Sequence, residues 1–121
     1  MPTPASRYNH LALATGASRR LEISGQVGIL PTGEVAEGLA AQLDAALANV
    51  DAALVAADMS RANLMKITVY LTQNTAEAVT TYRARRDAWV GGSTPPASTL
   101  LIVAGLASPA LLVEVDAVAA D

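Results

Sequence analysis

The sequence predicts an α+β sandwich in which two helices pack on one face of a mixed sheet. Three observations carry that expectation. Polar and apolar residues alternate with period two at Arg20–Ser24 and again from Leu64 to Leu71. Apolar residues recur at steps of three and four from Gly38 to Ala57. The predicted elements follow in the order strand, strand, helix, strand, helix, strand, strand, with no repeat or linker between them. A length of 121 residues holds one core, so residues 1–121 are read as a single domain.

Each element has a local reason. The apolar run His10-Leu11-Ala12-Leu13-Ala14 and the strand beginning at Arg20 are separated by Thr15-Gly16-Ala17-Ser18, turn chemistry that suggests a hairpin. In Pro31-Thr32-Gly33-Glu34, proline presets one turn dihedral and glycine accepts a positive φ. The first helix presents Leu39, Leu43, Leu47, Val50, Leu54 and Ala57 on one face and keeps Asp44 and Asp51 off it. In the next strand Met65, Ile67, Val69 and Leu71 face one way, and Lys66, Thr68 and Tyr70 the other. The second helix runs from Thr75 to Trp89, with Asn74 or Thr75 as its cap and Gly91-Gly92 at its end. Two strands close the chain, around Pro95–Val103 and Leu111–Ala119.

Composition narrows the function classes. There is no cysteine and one histidine, so neither a thiolate nucleophile nor a zinc site is expected, and no cofactor is implied. The first six residues lack the charged-then-apolar pattern of a secretion signal, and no apolar run reads as a bilayer span; the expectation is a cytoplasmic protein without a membrane. A net charge of −3 and a pI near 5.0 argue against nucleic acid as a partner. The chain is 52% hydrophobic and only 16% charged, against roughly 25% charged in ordinary soluble domains. Either part of its apolar surface is covered by another subunit, or its composition is biased towards alanine.

Several stretches together resemble the RidA (YjgF/YER057c/UK114) family. They are Ile23-Ser24-Gly25-Gln26-Val27, the turn Pro31–Val35, Ala40-Ala41-Gln42, Asn49-Val50, Met65–Leu71, Pro96-Ala97 and Val113-Glu114-Val115-Asp116-Ala117-Val118-Ala119. Their order and spacing make the resemblance specific. It implies a chorismate-mutase-like fold and a homotrimer with small-molecule clefts between subunits. It also implies the deamination of imines and enamines, in which the glutamate matching Glu114 positions water and an arginine after the Pro-Ala pair binds the substrate carboxylate. Here that position is Ser98. A further departure is Asp58, where the family commonly has glycine; aspartate tolerates the left-handed conformation better than most residues.

The resemblance makes Glu114 the candidate catalytic residue, and Ser98, Thr99, Leu100, Ser24 and Tyr8 the candidate substrate contacts. Tyr8 is matched across a segment a few residues longer than in the family. A carboxylate on an apolar strand suits a group that positions a proton, or it is an edge carboxylate bonded to a neighbouring strand's amides. Ser98 offers one neutral donor where a guanidinium offers a permanent charge and a planar fork. Losing such a contact costs roughly 2 to 5 kcal/mol, so efficient turnover of 2-aminoacrylate is not expected. Arg7, Arg85 and Arg86 are the basic residues that could compensate, or they form a solvated surface. Near Thr99 and Leu100, backbone N–H groups are the expected ligand donors. Three readings follow: a hydrolase of an imine, enamine or related carbonyl metabolite, a non-catalytic metabolite-binding or protein-interaction trimer, and, disfavoured by charge, an endoribonuclease.

Overall fold

In the computed structural model, which describes residues 1–121, four strands and two α-helices form in the order β-α-β-α-β-β. The strands are β1 (Arg20–Val27), β2 (Leu64–Leu71), β3 (Ala97–Ile102) and β4 (Val113–Ala120); the helices are α1 (Leu39–Ala56) and α2 (Ala76–Val90). The sheet runs β1-β4-β2-β3, with β4 antiparallel to both neighbours and β2 parallel to β3. The parallel pair is joined through α2, as a parallel connection requires.

The anticipated first strand is absent. Residues 10–14 form no strand, and Leu11 and Leu13 are 73% and 86% exposed. The reason is where the segment has to go. Asn9 bridges to Ala97 at the start of β3, one edge of the sheet, whereas Ser18 N–H donates to the Asp121 carbonyl (2.7 Å) beside β1, the other edge. Between them the chain must cross three strand spacings, about 14 Å, so it cannot lie alongside β1.

The buried side chains come from the expected faces. Leu43, Leu47, Val50 and Leu54 of α1 meet Ile67, Val69 and Leu71 of β2 and Val113, Val115, Ala117 and Ala119 of β4. Met65 is the exception. The β2–β4 register shifts between Leu64 and Lys66, and that irregularity gives the buried place to Leu64 and leaves Met65 half-buried. α1 is long and apolar enough to cross a bilayer by length and composition alone, with a mean hydropathy of 1.3. Its apolar face packs on the sheet, so its hydropathy is that of a core helix.

Helix ends follow local chemistry. Thr75 Oγ1 accepts from Ala78 N–H at 3.1 Å to cap α2, which stops at Gly91 with φ 55°. At the end of α1, Asp58 takes φ 56°, its N–H donates to Val55 O (2.9 Å), and Met59 N–H donates to Leu54 O (2.8 Å), a Schellman closure built on aspartate. Arg19 donates to the carbonyls of Ala57 (2.6 Å) and Asp58 (3.3 Å) at this negative helix end. It also pairs with Asp121, whose carboxyl is held below its ordinary value chiefly by that hydrogen bond.

Two polar groups tie the layers together. Gln42, 2% exposed, donates to the carbonyls of Ala36 (3.1 Å) and Ala110 (2.9 Å) and accepts from Leu112 N–H (2.8 Å). Between the helices, Arg61 forks onto both carboxylate oxygens of Asp51 at 2.8 Å, and Trp89 Nε1–H donates to the same carboxylate at 3.0 Å. Asp51 lies off the apolar face of α1 and serves as an anchor for α2.

Candidate functional site

Pleating sorts the candidate residues onto two faces. On β2 and β4 the helix-covered positions are Ile67, Val69, Leu71, Val113, Val115 and Ala117; Lys66, Thr68, Tyr70, Glu114 and Asp116 therefore face the uncovered side. Ser98 is paired with Ile67 and Leu100 with Val69, which puts both on the helix side, whereas Thr99 is paired with Thr68 and lies on the open side. Ser98 and Glu114 thus sit on opposite faces of one sheet, with β2 between their strands. Within one chain they do not meet.

Glu114 belongs to a cavity of about 300 Å³ lined by Gly25, Tyr70, Val103, Gly105, Leu106, Glu114 and Asp116. The β1–β4 register slips between Ile23 and Gln26, which brings Gly25 under the glutamate. A Cβ on Gly25 would stand 1.8 Å from Glu114 Oε1, so the carboxylate occupies space that only glycine leaves free. Tyr70 O–H donates to Asp116 Oδ2 at 2.9 Å. That bond, then desolvation, then the negative charges of Asp116 and Glu114 raise the Tyr70 pKa above its ordinary value, so the phenol keeps its proton beside the two carboxylates. Ser24 is exposed at the same irregularity, and its carbonyl accepts from the Gln26 side chain at 3.1 Å.

Ser98, Leu100 and Tyr8 line a second cavity, of about 220 Å³, with Ala5, Ser6, Tyr82, Arg83 and Arg86. The Ser98 hydroxyl is 3.4 Å from the Tyr82 hydroxyl, which accepts from Arg86 Nη1 at 3.3 Å. Arg86 is 3% exposed; it also donates to Ser6 Oγ (2.7 Å) and to Asp87 Oδ1 from both Nε (3.1 Å) and Nη2 (2.9 Å). The other two arginines considered from sequence lie elsewhere: Arg85 pairs with Asp44 at 3.6 Å, and Arg7 donates to Gly91 O at 3.0 Å. Thr99 Oγ1 accepts from Lys66 Nζ at 2.7 Å and does not line this cavity. β3 is an edge strand, so part of its backbone amides point away from the sheet.

Sequence reasoning reads Tyr70 and Tyr82 as packing residues and assigns no role to Asp116 or Arg83, although Tyr82 and Arg83 line the Ser98 cavity and Tyr70 and Asp116 the Glu114 cavity. Tyr70 and Asp116 are legible once β2 and β4 are paired, because Thr68 opposes Asp116 and Tyr70 opposes Glu114. Arg83 and Arg86 are three apart on α2 and share a face, a spacing that separates them from Arg85. No three His, Cys, Asp or Glu side chains converge as a metal-ligand set.

A four-stranded mixed sheet carrying two helices in the order β-α-β-α-β-β defines the fold class. The chain belongs to the RidA family: all of residues 1–121 match the family model described as Endoribonuclease L-PSP. A RutC family protein of Aquifex aeolicus (strain VF5) is 40% identical over 72 residues, 59% of this chain and 55% of that protein; the alignment thus spans about half of the relative's length. The crystal structure of YyfB from Yersinia pestis, a Rid-family protein of unknown function, superposes with a TM-score of 0.87 at 29% identity, covering 95% of this chain and 87% of that one. E. coli TdcF with bound serine gives 0.79 at 26% identity, covering 99% and 92%.

Proposed function

We propose that the chain is a homotrimeric Rid-type protein that binds a small metabolite in clefts between protomers and hydrolyses an imine, enamine or related carbonyl-derived metabolite through Glu114 and water. The observation that carries this reading is the division of the site. The Glu114 half and the Ser98 half lie on opposite faces of one sheet, so a cleft containing both needs two copies of the chain. Serine bound to TdcF, a structural relative, supports a small polar metabolite as the ligand class.

The chemistry follows from a carboxylate fixed over Gly25. Glu114 accepts a proton from water as the water oxygen adds to the imine carbon, and the C=N π electrons pass to nitrogen, which is protonated. The C–N bond of the resulting carbinolamine then breaks, ammonia leaves, and the carbon is released as a carbonyl; one imine and one water give one carbonyl compound and one ammonia. A positioned carboxylate of this kind contributes roughly 10²- to 10⁴-fold. Ser98 supplies a neutral hydroxyl on the strand, so 2-aminoacrylate, whose carboxylate is attached to the reacting carbon, is a slow substrate.

The test is ammonia release from a panel of imines by the wild type and Glu114→Gln, with the mass of the assembly measured by light scattering. The reading requires a trimer and a variant slowed about 100-fold or more that still binds ligand. An unchanged rate with weakened ligand binding would make the protein a non-catalytic binding trimer, and a monomer would remove the cleft altogether.

A further inference from the structure

The cavity beside Ser98 holds a cation that the strand does not provide. Arg83 and Arg86 both line it, and their electrostatic positions differ. Arg86 is buried and is compensated by Asp87, so its remaining work is to orient the hydroxyls of Tyr82 and Ser6. Arg83 is exposed at the rim and forms neither an ion pair nor a side-chain hydrogen bond. No acidic side chain lines the cavity, whereas four of its eight lining residues, Ser6, Tyr8, Tyr82 and Ser98, carry hydroxyl groups.

We infer that Arg83 is the specificity-determining residue of this half-site, and that the cavity takes the carboxylate of a small monoanionic ligand between the Arg83 guanidinium and the hydroxyls of Ser98 and Tyr82. This rests on the cleft reading above and adds the charge of the ligand to it. One uncompensated guanidinium matches one carboxylate, and its planar donors suit the two oxygens. A cavity of about 220 Å³ admits a ligand of few heavy atoms. Held between Arg83 of α2 and Ser98 of β3, the carboxylate lies on the helix face of the sheet, opposite to the face that carries Glu114, which fits a ligand whose carboxylate is separated from its reacting carbon.

The experiment is an NMR titration of the full-length protein with butyrate, with butyramide, which has nearly the same shape and no charge, and with inorganic phosphate. Butyrate is expected to shift the amides of Arg83, Ser98 and Leu100 with a Kd on the order of 1 mM, as six heavy atoms allow. Butyramide should bind about tenfold more weakly, and Arg83→Met should bring butyrate down to the level of the amide while Arg83→Lys restores part of the difference. Arg83 is exposed, so these variants are expected to fold, and circular dichroism checks that they do. Equal binding of acid and amide, indifferent to Arg83, would overturn the inference and leave the cleft standing. Phosphate binding tighter than butyrate would overturn the monoanion assignment. Failure of all three probes to shift these amides would overturn the inference and the cleft reading together. Slow ammonia release that is indifferent to Glu114→Gln, with Arg83-dependent butyrate binding intact, would overturn only the catalytic reading.

Discussion

Two glycines near the end of β1 allow the site to be separated from the scaffold. An alanine Cβ at Gly25 would stand 1.8 Å from Glu114 Oε1, 2.7 Å from its Cδ and 3.0 Å from its Cγ, all atoms of one flexible side chain. To restore a 3.0 Å contact, Oε1 must move by at least 1.2 Å, and the glutamate can do so by turning its side-chain torsions at about 1 kcal/mol. Gly25 has no positive φ, so alanine also recovers about 0.4–1 kcal/mol by restricting the unfolded chain. Gly25→Ala is therefore expected to change stability by less than about 1 kcal/mol, or roughly 4 °C in Tm. A displacement of the carboxylate by more than an ångström should nevertheless slow ammonia release about 100-fold. Gly28→Ala is the contrast: its Cβ would meet Gln42 Cβ at 2.5 Å and Gln42 Cα at 2.7 Å, and backbone held inside a helix cannot turn away. It should cost about 3 kcal/mol through overpacking. Urea denaturation at one fixed protein concentration, together with an ammonia-release assay, reads both effects. If Gly25→Ala lost as much stability as Gly28→Ala, or kept full activity, the placement of Glu114 over Gly25 would be wrong as an account of the site.

Other predictions follow from single interactions. Gln42→Leu leaves the carbonyls of Ala36 and Ala110 and the Leu112 N–H without their partner, and should lower stability by about 2–4 kcal/mol in urea denaturation. Asp58→Gly relieves a left-handed residue and should raise stability by about 0.5–1 kcal/mol, seen as a higher denaturation midpoint; a decrease would contradict the reading of that helix end. Because the Tyr70 pKa is raised in the folded protein, the Tyr70–Asp116 pair contributes its stabilisation fully below pH 10 and loses it as pH rises through the folded value. Absorbance at 295 nm should show a tyrosine transition above pH 10 that Tyr70→Phe removes and Asp116→Asn moves downward.

What the sequence could reveal was set by the range of each interaction. The α1 face and the β1 and β2 alternations depend on neighbours a few residues apart, and they form largely as periodicity indicates. The left-handed end of α1 at Asp58 was readable from the family resemblance, which has glycine there, and from the tolerance of aspartate for that conformation. The apolar run at His10–Ala14 was misleading because a strand needs an edge to pair with, and the edge is decided by Asn9 meeting Ala97 and Ser18 meeting Asp121, contacts across most of the chain. Glu114 and Ser98 were visible through family resemblance, but their opposite faces required the β2 register. The buried role of Gln42, the Tyr70–Asp116 bond and the cavity shared by Arg83 and Arg86 all join residues distant in sequence. An arginine that forms part of a cavity wall and one on an outer helix face look alike until α2 is docked on the sheet.

Under the proposed function, each working cleft takes Glu114 from one protomer and Ser98 with its neighbours from another. Complementation tests it directly. Glu114→Gln disables one half, and Ser98→Trp, whose indole fills much of the 220 Å³ cavity, disables the other. Co-expressed in equal amounts, the two inactive chains assort into mixed trimers in which about a quarter of the clefts inherit both intact halves. Ammonia release is predicted to return to about a quarter of the wild-type rate. Mixed trimers seen by native mass spectrometry with no recovered activity would contradict a site shared between protomers.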